Sequence, residues 1–150
     1  MKRKIAQLEQ QAEDAASVGL GYRPARRRSM KNPSLASLRR KLDKAFAAFI
    51  RARHTDNNGM GNCITCDKWA KLQCGHFIRR QHTATRWHHL NAFGQCSYCN
   101  KWLHGNEAEY YRILVKGYGQ DVVDELMRLK RTTVKFSRDQ LLEMIERYKT

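Results

Sequence analysis

Cys63-Ile64-Thr65-Cys66 and Cys96-Ser97-Tyr98-Cys99 are two C-x2-C pairs separated by residues 67–95. Two residues between thiolates let each pair grip one ion from a tight turn. Two such pairs complete a tetrahedral all-sulfur shell that suits Zn2+. Four thiolates leave no open position, so the predicted zinc is structural. Neither pair lies in a βαβ pattern, which argues against redox chemistry. The fifth cysteine, Cys74, reads either as an alternative ligand or as a small buried hydrophobe. An odd cysteine count in a chain without an export signal argues against a disulfide framework.

Outward from the cysteines, residues 62–100 are rich in Cys and His and lack long helical periodicity, which predicts a hairpin or two. Upstream, Ser34 can cap a helix running to about Arg53. In it Leu35, Leu38, Leu42, Phe46, Phe49 and Ile50 recur at three- and four-residue steps and form one apolar stripe. Arg39, Arg40, Lys41, Lys44 and Arg51 on the same helix are either solvated or face DNA. Downstream, Asn106 with Glu109 reads as a capping pair for a helix to about Lys116, broken by Gly117 and Gly119. Val122, Val123, Leu126 and Leu129 mark the next helix. Ser137 with Gln140 opens a last one carrying Leu141, Leu142, Ile145 and Tyr148.

Residues 1–16 read as a short polar helix. Residues 17–33 hold Pro24, Pro33, two glycines and the run Arg26-Arg27-Arg28, a flexible basic linker whose arginines are expected to track phosphates. The expected organisation is an N-terminal extension over 1–33, a zinc-containing domain over 34–135 and a C-terminal helix over 136–150. The 29 Lys and Arg against 14 Asp and Glu leave a net charge of +15 on 150 residues. That makes a polyanion, nucleic acid above all, the leading partner, though charge alone does not separate RNA from DNA. No run of some 18 apolar residues spans a membrane, and the N-terminal residues lack an apolar h-region. The expected location is therefore the cytosol.

Between and after the cysteine pairs lie Gln73-Cys74-Gly75-His76-Phe77-Ile78-Arg79-Arg80, Arg86-Trp87-His88-His89-Leu90-Asn91, Asn100 and His104-Gly105-Asn106. A zinc module used only as a clamp has no need of so many His and Asn residues. One-metal phosphodiester cleavage does need them. A neutral imidazole must deprotonate water, a divalent ion must offset phosphate charge, and a third group must fix the imidazole tautomer. Trp69, Trp87 and Trp102 flank these residues and are expected to build the small core, with stacking on an unpaired base as the alternative.

The order Cys-x2-Cys, His, Asn, Cys-x2-Cys-Asn resembles the ββα-metal (HNH, or His-Me finger) endonucleases, especially those with a four-cysteine zinc of the phage endonuclease VII type. Cys74-Gly75-His76-Phe77, Asn91, Gln95-Cys96-Ser97-Tyr98-Cys99-Asn100, Gly105-Asn106, Tyr110, Tyr118-Gly119-Gln120 and Val123 are similar to the phage lambda NinG (Rap) recombination protein family. The resemblance spans roughly residues 35 to 130. It implies that His76 is the general base and that Asn91 fixes the hairpin backbone and so orients His76. Asn100 becomes a ligand of a catalytic Mg2+ or Mn2+, and Cys63, Cys66, Cys96 and Cys99 hold structural Zn2+. Arg79 and Arg80 join Arg26–Arg28 as expected DNA contacts. The implied fold is α+β, a small ββα-metal core with the four-cysteine zinc flanked by α-helices. The implied activity is cutting of Holliday junctions and D-loops in the cytosol of a phage's bacterial host. A homodimer would match the two-fold symmetry of a junction, with the 34–53 helix as the obvious surface.

One position departs from the endonuclease pattern. Where most HNH enzymes carry an Asp or His ligand just before the base, this chain has Gly75, so the second ligand falls to His82, His88, His89 or His104. The alternatives are a non-catalytic zinc protein that binds nucleic acid and a ribosome-associated RNA-binding factor. The latter accounts for charge and zinc but not for the His and Asn set.

Overall fold

The computed structural model describes residues 32–149. Helix α1 spans Leu35–His54. The Ser34 hydroxyl accepts from Ser37 N at 3.2 Å and satisfies one of the free amides of the first turn. Arg51, Arg53 and His54 sit in the last turn, where the helix dipole favours cations. Of the apolar stripe, Leu38, Leu42, Phe46 and Ile50 are fully buried, each contributing about 1.5–3 kcal/mol. Leu35 lies at the exposed helix start.

Three antiparallel strands follow: β1 (Met60–Asn62), β2 (Trp69–His76) and β3 (Ala92–Cys96), in sheet order β1-β2-β3. β1 pairs with the first part of β2, matching Asn62 to Trp69 and Met60 to Lys71. β3 pairs with the second part, matching Leu72 to Cys96 and His76 to Ala92. The β1–β2 turn therefore carries Cys63 and Cys66 to the end of β3 where Cys96 stands. Ile64 N donating to Gly94 O at 2.9 Å hooks the turn onto β3. Gly61 is needed here, because a β-carbon on it would collide with His54 O and lie 3.0 Å from Leu72 Cδ1.

All five residues of β3 are buried. Ala92 joins the α1 core. Phe93 packs with Tyr110, Leu114 and Val123. These belong to α2 (Glu107–Tyr118) and α3 (Gln120–Lys130), which Gly119 separates at φ 94°. A single π-helical turn, Tyr98–Trp102, joins β3 to this pair. Helix α4 (Arg138–Arg147) opens with the expected Ser137–Gln140 capping box, and Leu141 with the following Tyr148 completes the α1 core. The outcome is α+β: a small antiparallel sheet with helices packed on it.

Three local expectations change. Asn106 stands at the N-cap position of α2 as expected, but its φ of 50° is left-handed and its side chain makes no cap hydrogen bond. Gly117 stays inside α2, because one glycine costs only about 1 kcal/mol and the helix is packed. Only Trp87 is core, at 4% exposure, whereas Trp69 and Trp102 are 62% and 76% exposed. Among the described residues no helix is long and apolar enough to cross a membrane.

Candidate metal centre and active site

The sulfur atoms of Cys63, Cys66, Cys96 and Cys99 all lie within 4.8 Å of one another. Cys66 and Cys96 sulfurs are 3.8 Å apart, which is about the edge of a tetrahedron with Zn–S bonds near 2.3 Å. Cys63, Cys96 and Cys99 are buried. Cys99 N donates to Cys96 Sγ at 3.4 Å, a backbone bond of the kind that steadies a thiolate. Burial works against ionisation of Cys63. Hydrogen bonds from the Thr65 hydroxyl and nearby backbone outweigh it and bring the thiol down to about 6. Burial instead raises Cys66 to about 12. A divalent cation held by these four sulfurs would supply the positive charge that favours the thiolate form of its ligands. The cluster can thus hold a metal ion such as zinc.

Beside this knuckle lies an open cleft of about 430 Å³ lined by Gln73, Cys74, His76, Arg79, Arg80, Asn100, His104 and Gly105. His76 ends β2. Its Nε2 lies 3.0 Å from the Arg86 carbonyl. A carbonyl only accepts, so Nε2 carries the proton and Nδ1 is left as a base. Burial holds the imidazole at about 4, so it is neutral at physiological pH. Asn100 stands on the π-turn. Its Nδ2 donates to Gln73 Oε1 at 2.9 Å, which leaves Oδ1 as the oxygen available to a cation. Cys74 forms part of the wall. Burial pushes its thiol up to about 12, so it is not a nucleophile at neutral pH.

The segment 77–91 that returns from β2 to β3 is tied down twice. Asn91, fully buried, accepts from Ile78 N at 2.8 Å and donates to the Ile78 and Thr85 carbonyls, each at 3.0 Å. The second tie comes from α1. Asp43 accepts from Arg86 Nε at 2.9 Å, from Arg86 Nη2 at 2.6 Å and from Trp87 Nε1 at 3.0 Å. The carbonyl that orients His76 belongs to this same Arg86, so the imidazole is anchored to α1. The sequence reading missed Asp43. The available signal was that it is the one acid in a 20-residue helix rich in Arg and Lys.

Of the four candidate second ligands, only His104 lines the cleft. His82 is occupied elsewhere, its Nδ1 3.1 Å from the Lys130 carbonyl. His88 and His89 stack on each other at 5.1 Å beside a separate hollow with Trp87 and Tyr148. Neither lies on a strand, so the expected alternation of their side chains does not apply. Arg79 and Arg80 are exposed at the cleft, and Arg79 also sits 3.6 Å from Glu107. Arg26, Arg27 and Arg28 lie outside the described residues, as does the N-terminal helix expected over 1–16.

No curated protein and no solved structure matches the chain. The sequence model of one family, described as "Bacteriophage Lambda NinG protein", matches residues 1–150. Because that match runs over the whole chain, the chain belongs to the bacteriophage lambda NinG family.

Proposed function

We propose that this chain is a metal-dependent endodeoxyribonuclease acting on branched recombination intermediates, Holliday junctions and D-loops among them. The observation that carries the reading is the His76 imidazole, its Nε2 held 3.0 Å from the Arg86 carbonyl, in one open cleft with Asn100, His104 and two arginines. Nδ1 of His76 takes a proton from water as its oxygen bonds to phosphorus. The P–O3′ bond breaks, the leaving oxygen gains a proton from solvent, and the imidazolium returns its own. Arg79 and Arg80 hold phosphate oxygens through charge-assisted bonds. Asn100 Oδ1 and the His104 imidazole are the oxygen and nitrogen donors the cleft offers a divalent ion. Mg2+ or Mn2+ there would offset charge on the scissile phosphate and leaving oxygen. The α1 stripe is spent inside the protomer, so a homodimer pairing through this helix on a junction would use its exposed face, which carries Arg40, Lys41 and Lys44.

Nothing in this chemistry reads a base, so selectivity must come from shape. At a branch several backbones converge and strands deform more cheaply, so a compact cationic protein touches more phosphates there than on linear duplex. Near 0.15 M salt, roughly physiological, a four-way junction is expected to be nicked in preference to linear duplex of equal length with Mg2+ or Mn2+, and bound in preference with Ca2+. Asn100→Ala should suppress cutting, with partial rescue by raised Mn2+. Equal cutting of both substrates removes the recombination role. No cutting with any metal leaves the zinc-dependent clamp.

The low-lying imidazole has a consequence for pH. His76 in the folded chain protonates near 4 rather than 6.5. Cutting at low substrate is therefore expected to show no acid limb between about pH 7.5 and 5.5. An inflection near 6.5 would mean an ordinary, solvated base. Stability runs the same way. Below about 6.5 the unfolded chain takes up a proton that the folded chain refuses until about 4, so the contribution of His76 is lost across that window as pH falls.

A further inference from the structure

Gln95, on β3, is fully buried and its side chain spans the gap between the cysteine knuckle and the cleft. Its Nε2 donates to Thr65 Oγ1 at 3.2 Å and to the Gly105 carbonyl at 2.9 Å. Thr65 Oγ1 in turn lies 3.3 Å from Cys63 Sγ. The direction of these bonds is forced. An amide nitrogen only donates, so Thr65 uses a lone pair for Gln95 and is free to aim its proton at the sulfur. Gly105 is a wall residue of the cleft next to His104. Its own N–H donates to the carbonyl of Cys99, one of the four cysteines, at 2.9 Å. A β-carbon built on Gly105 would come 3.9 Å from the backbone oxygen of His76. A continuous path therefore runs from Cys63 through Thr65 and Gln95 to Gly105 on the cleft wall.

Two oddities at Gln95 fit this path. Its Oε1 is buried without a hydrogen-bond partner. Turning the amide over would let the Thr65 hydroxyl donate to it but would set Oε1 against the Gly105 carbonyl and lose that bond. The unpaired oxygen is thus the cost of keeping both donors engaged. That oxygen also sits where a side chain at position 75 would begin. A β-carbon on Gly75 would overlap Oε1 and come within 2.7 Å of Gln95 Cδ and 2.8 Å of Cγ. Gly75 and Gln95 are neighbours on adjacent strands, Gly75 facing Phe93 and Gln73 facing Gln95 in the register.

We propose that Gln95 is a positioning residue that locks the cleft wall at His104–Gly105 to the four-cysteine centre, and that residue 75 is glycine to admit the Gln95 side chain. The proposal rests on the nuclease reading for its effect on cutting, but not for the strut itself. Gly75 then marks the space the strut occupies, rather than a lost acid.

The test uses full-length protein. Gln95→Met keeps length and volume and removes both donors. It is expected to bind metal at all four cysteines like wild type, read as cadmium–thiolate absorbance after cadmium loading. Amide hydrogen exchange at Gly105 and Asn106 should rise by about tenfold or more. Junction cutting should fall about 100-fold, with a higher Mn2+ concentration at half-maximal rate, as expected for a misplaced cleft wall. A second pair of variants checks the reciprocity. Gly75→Ala alone should lower the melting temperature sharply, and adding Gln95→Ala should restore it without restoring cutting. Wild-type exchange at Gly105 and Asn106 in Gln95→Met, or a Gly75→Ala variant as stable as wild type, would overturn the strut. A wild-type protein that cuts nothing would remove the nuclease reading, while exchange and the double variant would still decide the strut.

Discussion

Cys96→Ser is expected to lose the folded state, not merely activity. Cys96 closes β3 and is buried at 6% exposure. Its sulfur stands 3.8 Å from that of Cys66 and accepts the Cys99 amide at 3.4 Å. Its backbone is opposite Leu72 in the sheet. A serine hydroxyl is a poor ligand for zinc and would leave only three thiolates to hold the ion in a site built for four. The local apolar cluster is only Cys63, Leu72, Cys96 and Cys99 with Cys66 and Ala70 against it. Little hydrophobic burial remains there to hold the β1–β2 turn. Structural zinc in small modules contributes on the order of 10 kcal/mol of apparent folding free energy, about as much as the whole stability of a domain this size. One zinc per wild-type chain should be released by chelation together with loss of circular dichroism and of the sharp melting transition. The variant should lack both from the start. A zinc-free wild type that melts cooperatively at the same temperature would contradict the metal centre.

What could be read from the sequence was what depends on local spacing. The two C-x2-C pairs announced the cysteine cluster because two residues between ligands leave few geometries. The stripe Leu38, Leu42, Phe46, Ile50 announced α1, and Ser137 with Gln140 announced the start of α4. His76 and Asn100 could be named, and the structure does bring them to one cleft. What escaped depends on chain segments far apart in sequence. Asp43 meets Arg86 and Trp87 across the molecule, and Gln95 reaches Thr65 and Gly105. No periodicity records such pairings. Asn106 misled for a different reason: Asn is favoured both at helix caps and in left-handed turns, and here the turn conformation prevailed. Trp69 and Trp102 were expected inside because they flank the cysteine and histidine residues, yet both are exposed, and the large buried aromatics are Tyr110, Phe46 and Phe93.

His76→Ala is expected to separate the two halves of the account, folding and binding on one side and chemistry on the other. The imidazole packs 5.8 Å from the Phe46 ring but keeps one side on the open cleft. The segment it leans on keeps its Asn91 and Asp43 ties without it. Truncation leaves the Arg86 carbonyl open to cleft water, so the fold and the basic surface should survive. The cleft would then lack a neutral Nδ1, and water would have to attack the phosphate without a proton acceptor. Loss of a general base typically costs about 100- to 10,000-fold in rate.

The decisive measurement is therefore made on one four-way junction with wild type and His76→Ala side by side. Binding is followed in Ca2+, single-turnover cutting in Mg2+ or Mn2+, and zinc content in both proteins. The expected result is equal zinc, near-equal binding and cutting reduced by at least about 100-fold in the variant. Cutting at the wild-type rate by His76→Ala would show that the proton is taken elsewhere, and the His76 cleft would lose its claim to be the active site.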